Sequence, residues 1–434
     1  MKNSRESNFN RRSIYFLKIL LPLILLSCAS QPSISSTPAP LTTDSRVDFL
    51  NSQINKGWMI SFKLPSCDPL AVSNLKTRSF TYDVALSAIV FKMLGQDEKA
   101  DRLLSTIETF ITAENGIEFS YDANDGPLGM RYVRTGAVSW LGYALVYADR
   151  LKHAQILAEF LLTRRVVSQG DSRNGLFRGG FGEIKKETFN DKEIEWISTE
   201  HNIDAYFFFR DLGLKLSNTH PQNASRYSAV ARDLKDRIVD TLWNPEGRYF
   251  YRGLNMQGLD RETPLDVQTW GALFLTATGH GEKARSALQF ARKHFLLKNV
   301  SVKKELDDEQ KFNCQYECKN TSFIGFKPYL ASPEYKRPPD LIWTEGSYGY
   351  SLAAKRLGIA EPELESSLNQ LESCNLYGGV LQTTETRSPI PYEFHAWEST
   401  ASTSWSLIDS LESSLPEHRK LWTSDKASKL LSSN

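Results

Sequence analysis

The stretch TYDVALSAIVFKMLGQDEKADRLLSTIETF, residues 81–110, decides how this chain is read. Tyr82, Ala85, Leu86, Ile89, Val90 and Met93 recur at spacings of three and four, the period of one helical face. Gly95 supplies a helix stop, and Ala100, Leu103, Leu104, Ile107 and Phe110 resume the same period. The stretch is a helical hairpin whose first helix opens on the polar-aromatic cluster Thr81-Tyr82-Asp83.

Five more such openings follow: Arg134-Thr135-Gly136, Glu200-His201-Asn202-Ile203-Asp204, Asp266-Val267-Gln268-Thr269-Trp270, Trp343-Thr344-Glu345-Gly346 and His395-Ala396-Trp397-Glu398-Ser399-Thr400. Their first residues, 81, 134, 200, 266, 343 and 395, lie 52 to 77 residues apart by subtraction, a hairpin plus its loops. The pattern predicts helices over about 135–150 and 153–164, 200–216 and 222–242, 266–278 and 282–297, 341–357 and 362–373, and 396–411. A looser last helix is expected over 418–431. First helices mix small residues with aromatics, as in Gly346, Ser347, Gly349, Ser351, Ala353 and Ala354. Second helices such as 226–237 carry more charge, so the expected arrangement is an inner ring of crowded helices and an outer ring facing solvent. Repeats of this kind bury their apolar faces against one another. Gly-, Pro- and Asn-punctuated loops between hairpins leave room for short strand pairs.

Composition is that of a folded globular chain: 434 residues, 41% hydrophobic, 24% charged, net charge +1. A charge so near zero removes the electrostatic case for nucleic acid as partner. Oligomeric state is not legible.

The N-terminus has its own logic. Arg11, Arg12 and Lys18 precede an apolar run from Ile19 to Leu26, far short of the roughly 20 residues that span a bilayer. The run ends in Leu25-Leu26-Ser27-Cys28, which resembles the lipobox of bacterial lipoproteins. That resemblance implies a signal peptide over 1–27, lipidation of Cys28, membrane attachment through the N-terminal lipid, and a place in the bacterial cell envelope. Residues 28–45, rich in Ser, Thr and Pro, read as a tether, and 46–434 as the helical domain. Export also permits two disulfides among Cys67, Cys314, Cys318 and Cys374, with three connectivities open. The Cys314/Cys318 spacing lacks a second ligand cluster, so no metal is expected. No Gly-rich phosphate loop appears, and no cofactor is expected.

Twelve helices alternating inner and outer resemble the (α/α)6 barrel of the six-hairpin glycosidases, over about Val47 to the end. The resemblance implies an all-α barrel with its substrate cavity at the N-terminal ends of the inner helices, where carboxylates act on a carbohydrate. Carboxylates also sit at helix N-termini for dipole reasons worth about 0.3–1 kcal/mol each, but that does not explain the Trp, His, Asn and Gln beside them. The matching acids are Asp83, Glu200, Asp204, Asp266, Glu345 and Glu398. The matching rings are Tyr82, Trp196, Trp270, Trp343, Tyr348 and Trp397.

Glycosidic cleavage needs a protonated carboxyl for the leaving oxygen and a carboxylate for water or carbon. Glu345, beside Trp343 and Gly346, is the expected acid; Glu200 is the second candidate and Asp266 a holder of water. Tyr82, Asp83, Arg134, Asp204, Gln268, Trp270, Trp343, Trp397 and Glu398 are expected to contact the sugar. His201 and His395 join that set, and they also resemble the acid/base pair of N-acylglucosamine 2-epimerase-like enzymes on this barrel. Arg134, the only permanent cation among the openings, pairs with a carboxylate or binds an acidic group on the sugar. The expectation is a glycoside hydrolase, with a carbohydrate epimerase or lyase, or a non-catalytic glycan-binding lipoprotein, as alternatives.

Overall fold

The computed structural model describes residues 44–66, 74–185, 188–302, 318, 322–386 and 394–425. The expected signal peptide, Cys28 and nearly all of the tether lie outside these residues, as do Cys67 and Cys314.

Five hairpins follow in order: α2 (Thr81–Met93) with α3 (Asp97–Glu108), α4 (Thr135–Tyr147) with α5 (Leu151–Leu162), α6 (Thr199–Lys215) with α7 (Pro221–Arg237), α8 (Leu265–Ala277) with α9 (Gly281–Phe295), and α10 (Thr344–Arg356) with α11 (Pro362–Leu371). The last inner helix is α12 (Thr400–Leu411), and a short helix α1 (Ser45–Ser52) precedes them all. Helices α2, α4, α6, α8, α10 and α12 pack each against the next, and α12 packs against α2, so the ring closes. The fold is an (α/α)6 barrel decorated by seven small antiparallel sheets among the described residues.

Burial separates the two rings as composition predicts. Every residue of α4 from Thr135 to Val146 is buried, whereas α3 buries only Ala100, Leu103, Leu104 and Ile107, one stripe at helical spacing. Among the described residues no helix is long and apolar enough to cross a membrane.

The end of the chain differs from expectation. Residues 417–419 form a single tight turn after Pro416, and 426–434 lie outside the description. The helix that packs on α12 is instead α1, from the other end of the domain. Phe49 and Leu50 of α1 are buried, and Arg46 bridges to Glu372 at 2.9 Å. The sequence after Leu411 offers few apolar residues at helical spacing, while Phe49 and Leu50 supply the missing face.

One device repeats around the ring. Five inner helices begin with a threonine that donates twice to the loop leading into the next inner helix. Thr81 N–H donates to Phe119 O at 3.0 Å and its hydroxyl to Glu118 O at 2.5 Å. Thr199 does the same to Arg252 O and Tyr251 O, Thr344 to Gln382 O and Leu381 O, and Thr400 to Ser61 O and Ile60 O. Thr135 donates to Gly179 O and Arg178 O. In α8 only the backbone bond survives, from Leu265 N to Pro328 O. Each tie satisfies an N–H that the first helical turn leaves unpaired and fixes the height of one inner helix against its neighbour. A Cys318–Cys374 disulfide joins the long loop before α10 to the segment after α11.

Candidate active site

Because these ties set the six helices to one height, equivalent positions converge. The residue after each helix start is Tyr82, Gly136, Glu200, Asp266, Glu345 or Ala401, and all six line two adjoining cavities at this end of the barrel. One turn deeper on the same face come Trp140, Asp204, Trp270, Gly349 and Trp405, also lining them; Leu86, the sixth, is core. The inner cavity has a volume of about 170 Å3 and the outer about 310 Å3; Tyr82, Trp140, Glu200, Asp204 and Glu345 border both.

The carboxylates are held unequally. Glu345 accepts a 2.6 Å hydrogen bond from Tyr82 Oη, which in turn accepts one from Trp405 Nε1 at 2.7 Å. Burial pushes Glu345 up to about 7, against the opposing pull of the Tyr82 hydroxyl. Glu200 and Asp266 hydrogen-bond to each other. Burial, then the neighbouring Asp266 and Asp204 charges, hold Glu200 well above the carboxylate range, so it carries the proton of the pair. Asp266 is raised less, because the Val267 N–H donates to it at 2.8 Å and Glu200 donates as well. Asp204 accepts from Trp270 Nε1 at 2.8 Å and is held high by burial. Asp83, buried on the wall of the outer cavity, is pushed up to about 8 by desolvation.

Arg134 and His201 border the outer cavity. The Arg134 guanidinium donates to the carbonyls of Val133, Phe181 and Gly182 and lies 4.0 Å over the Tyr132 ring. Burial and the Arg134 charge depress His201 to about 3, leaving it neutral. Its ring presses on Gly136, where a Cβ would lie 2.5 Å from it and 3.1 Å from Asp204 Oδ2. Trp343, half-buried, lines the inner cavity.

Four expected contacts lie elsewhere. Gln268 is buried with its amide paired to both the N–H and the C=O of Phe250, a clamp on the preceding loop. Glu398 accepts the N–H groups of Leu376, Tyr377 and Gly379 and so orders that turn. Trp397 is fully buried and stacks on His395 at 3.7 Å, and burial lowers His395 to about 4. All three of His395, Trp397 and Glu398 precede the start of α12 at Thr400, and none of them lines either cavity. Of the other rings, Tyr348 is buried on Glu372 and Trp196 is partly exposed beside His201.

Sequence reading missed Trp140, Trp405 and Tyr329. The first two sit five residues after Thr135 and Thr400, where Trp270 follows Leu265; aligning the helices by their starts would have found them. Tyr329 reaches the cavity from the long loop before α10, and no periodicity announces it.

No protein-family model and no curated protein sequence matches this chain. Solved structures do. A wild-type glycosidase aligns over 86% of this chain and 96% of its own, at 9% identity and a TM-score of 0.55. A cellobiose 2-epimerase from Bacillus thermoamylovorans aligns over 85% and 96%, at 9% identity and 0.57. A bacterial glucoamylase complexed with acarbose aligns over 81% of this chain and 51% of its own, at 11% identity and 0.52. The chain therefore shares the (α/α)6-barrel fold of these solved structures.

Proposed function

We propose that this protein is a glycan-active enzyme, a glycoside hydrolase that cleaves an oligo- or polysaccharide. The observation that carries the proposal is the pairing, around one Trp-lined cavity, of a proton-bearing Glu200–Asp266 pair with a Glu345 poised near neutrality. These environments favour Glu200, the second candidate from sequence, over Glu345 as the acid. Glu200 keeps its proton and serves as the acid that protonates the leaving oxygen. Glu345, whose ionised form the Tyr82 hydroxyl favours, serves as the base or nucleophile. Asp266 holds the Glu200 proton, and the indoles of Trp140, Trp270 and Trp405 offer faces to a sugar ring. The solved relatives include a glucoamylase complexed with acarbose and a glycosidase variant in complex with glucose, which agrees with a sugar ligand.

The epimerase alternative needs two histidines at one site that titrate near neutrality. His201 and His395 do not share a cavity, and both are held neutral by burial, which favours the carboxylate chemistry.

The test is a glycan panel in heavy-oxygen water, with Glu200→Gln and Glu345→Gln alongside wild type. One heavy oxygen per cut identifies hydrolysis. Loss of either group lowers kcat by about 10²–10⁴-fold, but Glu200→Gln recovers on aryl glycosides whose leaving group needs no proton, whereas Glu345→Gln does not. Product without heavy oxygen, or recovery in the opposite variant, overturns the assignment. We also propose lipid attachment at Cys28, which loss of fatty-acid labelling in Cys28→Ala would test.

A further inference from the structure

We infer that the C-terminal segment is a built part of this active site, with Trp422 as the positioning residue for the two indoles that hold Asp204 and the Tyr82–Glu345 pair. The inference rests on the proposed function only for the word active; the packing stands without it.

After α12 the chain crosses the end of the barrel opposite the cavity mouth and is stitched to the inner helices as it goes. Arg419 donates to the carbonyls of Lys92 and Met93 at the end of α2, and its own carbonyl accepts from Tyr147 of α4. Arg210 of α6 donates to Thr423 O at 2.7 Å, and Tyr206 donates to Asp425 at 2.6 Å. Between these anchors Trp422 has φ +50, a left-handed conformation that a bulky residue rarely adopts. It is held there from both sides: its N–H donates to Tyr143 Oη at 3.3 Å, and its carbonyl accepts from Arg356, itself paired to Glu412.

The conformation drives the indole up the barrel axis. Trp422 is 2% exposed, and its ring meets Trp270 at 4.6 Å edge-on, Trp405 at 5.6 Å nearly parallel, and Trp140 at 5.6 Å edge-on. Two of these indoles hold carboxylates. Trp270 Nε1 donates to Asp204, and Trp405 Nε1 donates to Tyr82, which donates to Glu345. An indole N–H in a hydrogen bond fixes one point of its ring; the tilt is set by what packs on its face and edge. Trp422 packs on both rings at once, so one side chain from the tail sets the height and tilt of both donors. A segment that merely sealed the barrel would need an apolar plug, not a strained tryptophan tied at both peptide groups.

The experiment uses the chain with its tail intact. The indole N–H resonances of Trp270 and Trp405, assigned through Trp270→Phe and Trp405→Phe, are compared in wild type, Trp422→Phe and Trp422→Ala. Glycan turnover and its pH profile are measured on the same samples. Trp422→Ala is expected to move both resonances and lower kcat about tenfold or more, with KM changed less than about threefold, as a small misplacement of catalytic groups does. Trp422→Phe should fall between. If Trp422→Ala does not fold, Trp422→Phe and Arg356→Met, which frees the tail without altering the ring, carry the comparison. Unmoved resonances in these variants overturn the inference. Wild-type protein that turns over no glycan sinks the functional reading alone, and the resonances then decide this one.

Discussion

The Tyr82 hydroxyl lies 2.6 Å from Glu345, across 263 positions of sequence, and donates to it while accepting from Trp405. A phenol that donates to a carboxylate stabilises its ionised form, so Tyr82 opposes the burial that raises Glu345. Removing the hydroxyl in Tyr82→Phe takes away the larger of the two hydrogen bonds that oppose burial, the other coming from Trp405. The acidic limb of the kcat/KM profile should then move upward from near pH 7, with activity at neutral pH reduced about tenfold or more. An unchanged limb would show that Glu345 is not the group titrating there.

Glu345 also links stability to pH. Its folded pKa is above the unfolded value, so the fold binds its proton more tightly than the unfolded chain does. Stability from this group is therefore present at low pH and lost as pH rises from about 4.5 to about 7. Glu345→Gln removes the linkage. Melting scans should show the variant gaining on wild type across that window, and a gap independent of pH would refute the burial argument.

Glu398 makes the opposite case, a carboxylate engaged in structure. Three backbone N–H groups converge on it from the turn at 376–379. Glu398→Ala should cost roughly 1–3 kcal/mol by leaving those donors unpaired, seen as a lower urea midpoint, while kcat/KM of the folded fraction stays within about twofold. A large loss of kcat at full stability would return Glu398 to the site.

Gly136 gives space to the cavity. A Cβ there would press on the His201 ring and on Asp204. Gly136→Ala should raise KM about tenfold through displacement of these walls, with a far smaller change in melting temperature; normal KM would mean that the outer cavity takes no part in binding.

The legible part of this protein was the part written in local periodicity. Apolar spacing of three and four in 81–110 and its five successors marks eleven of the helices and their inner and outer roles, because burial all round and burial on one stripe demand different compositions. The cluster at each opening likewise marks Tyr82, Glu200, Asp266 and Glu345, since they sit in the first turn, which faces the common mouth. What the sequence left open turns on contacts between distant segments. Whether Gln268 and Glu398 hold a sugar or a loop depends on Phe250 and on the turn at 376–379. Which carboxyl keeps a proton depends on Tyr82 reaching Glu345 and on Asp266 meeting Glu200. The starts of the helices, and hence the convergence of Trp140, Trp270 and Trp405, come from the ties between hairpins, five through a threonine and one through the Leu265 backbone. The periodicity of a helix states which face is buried, but its height against its neighbours is set only when the ring closes.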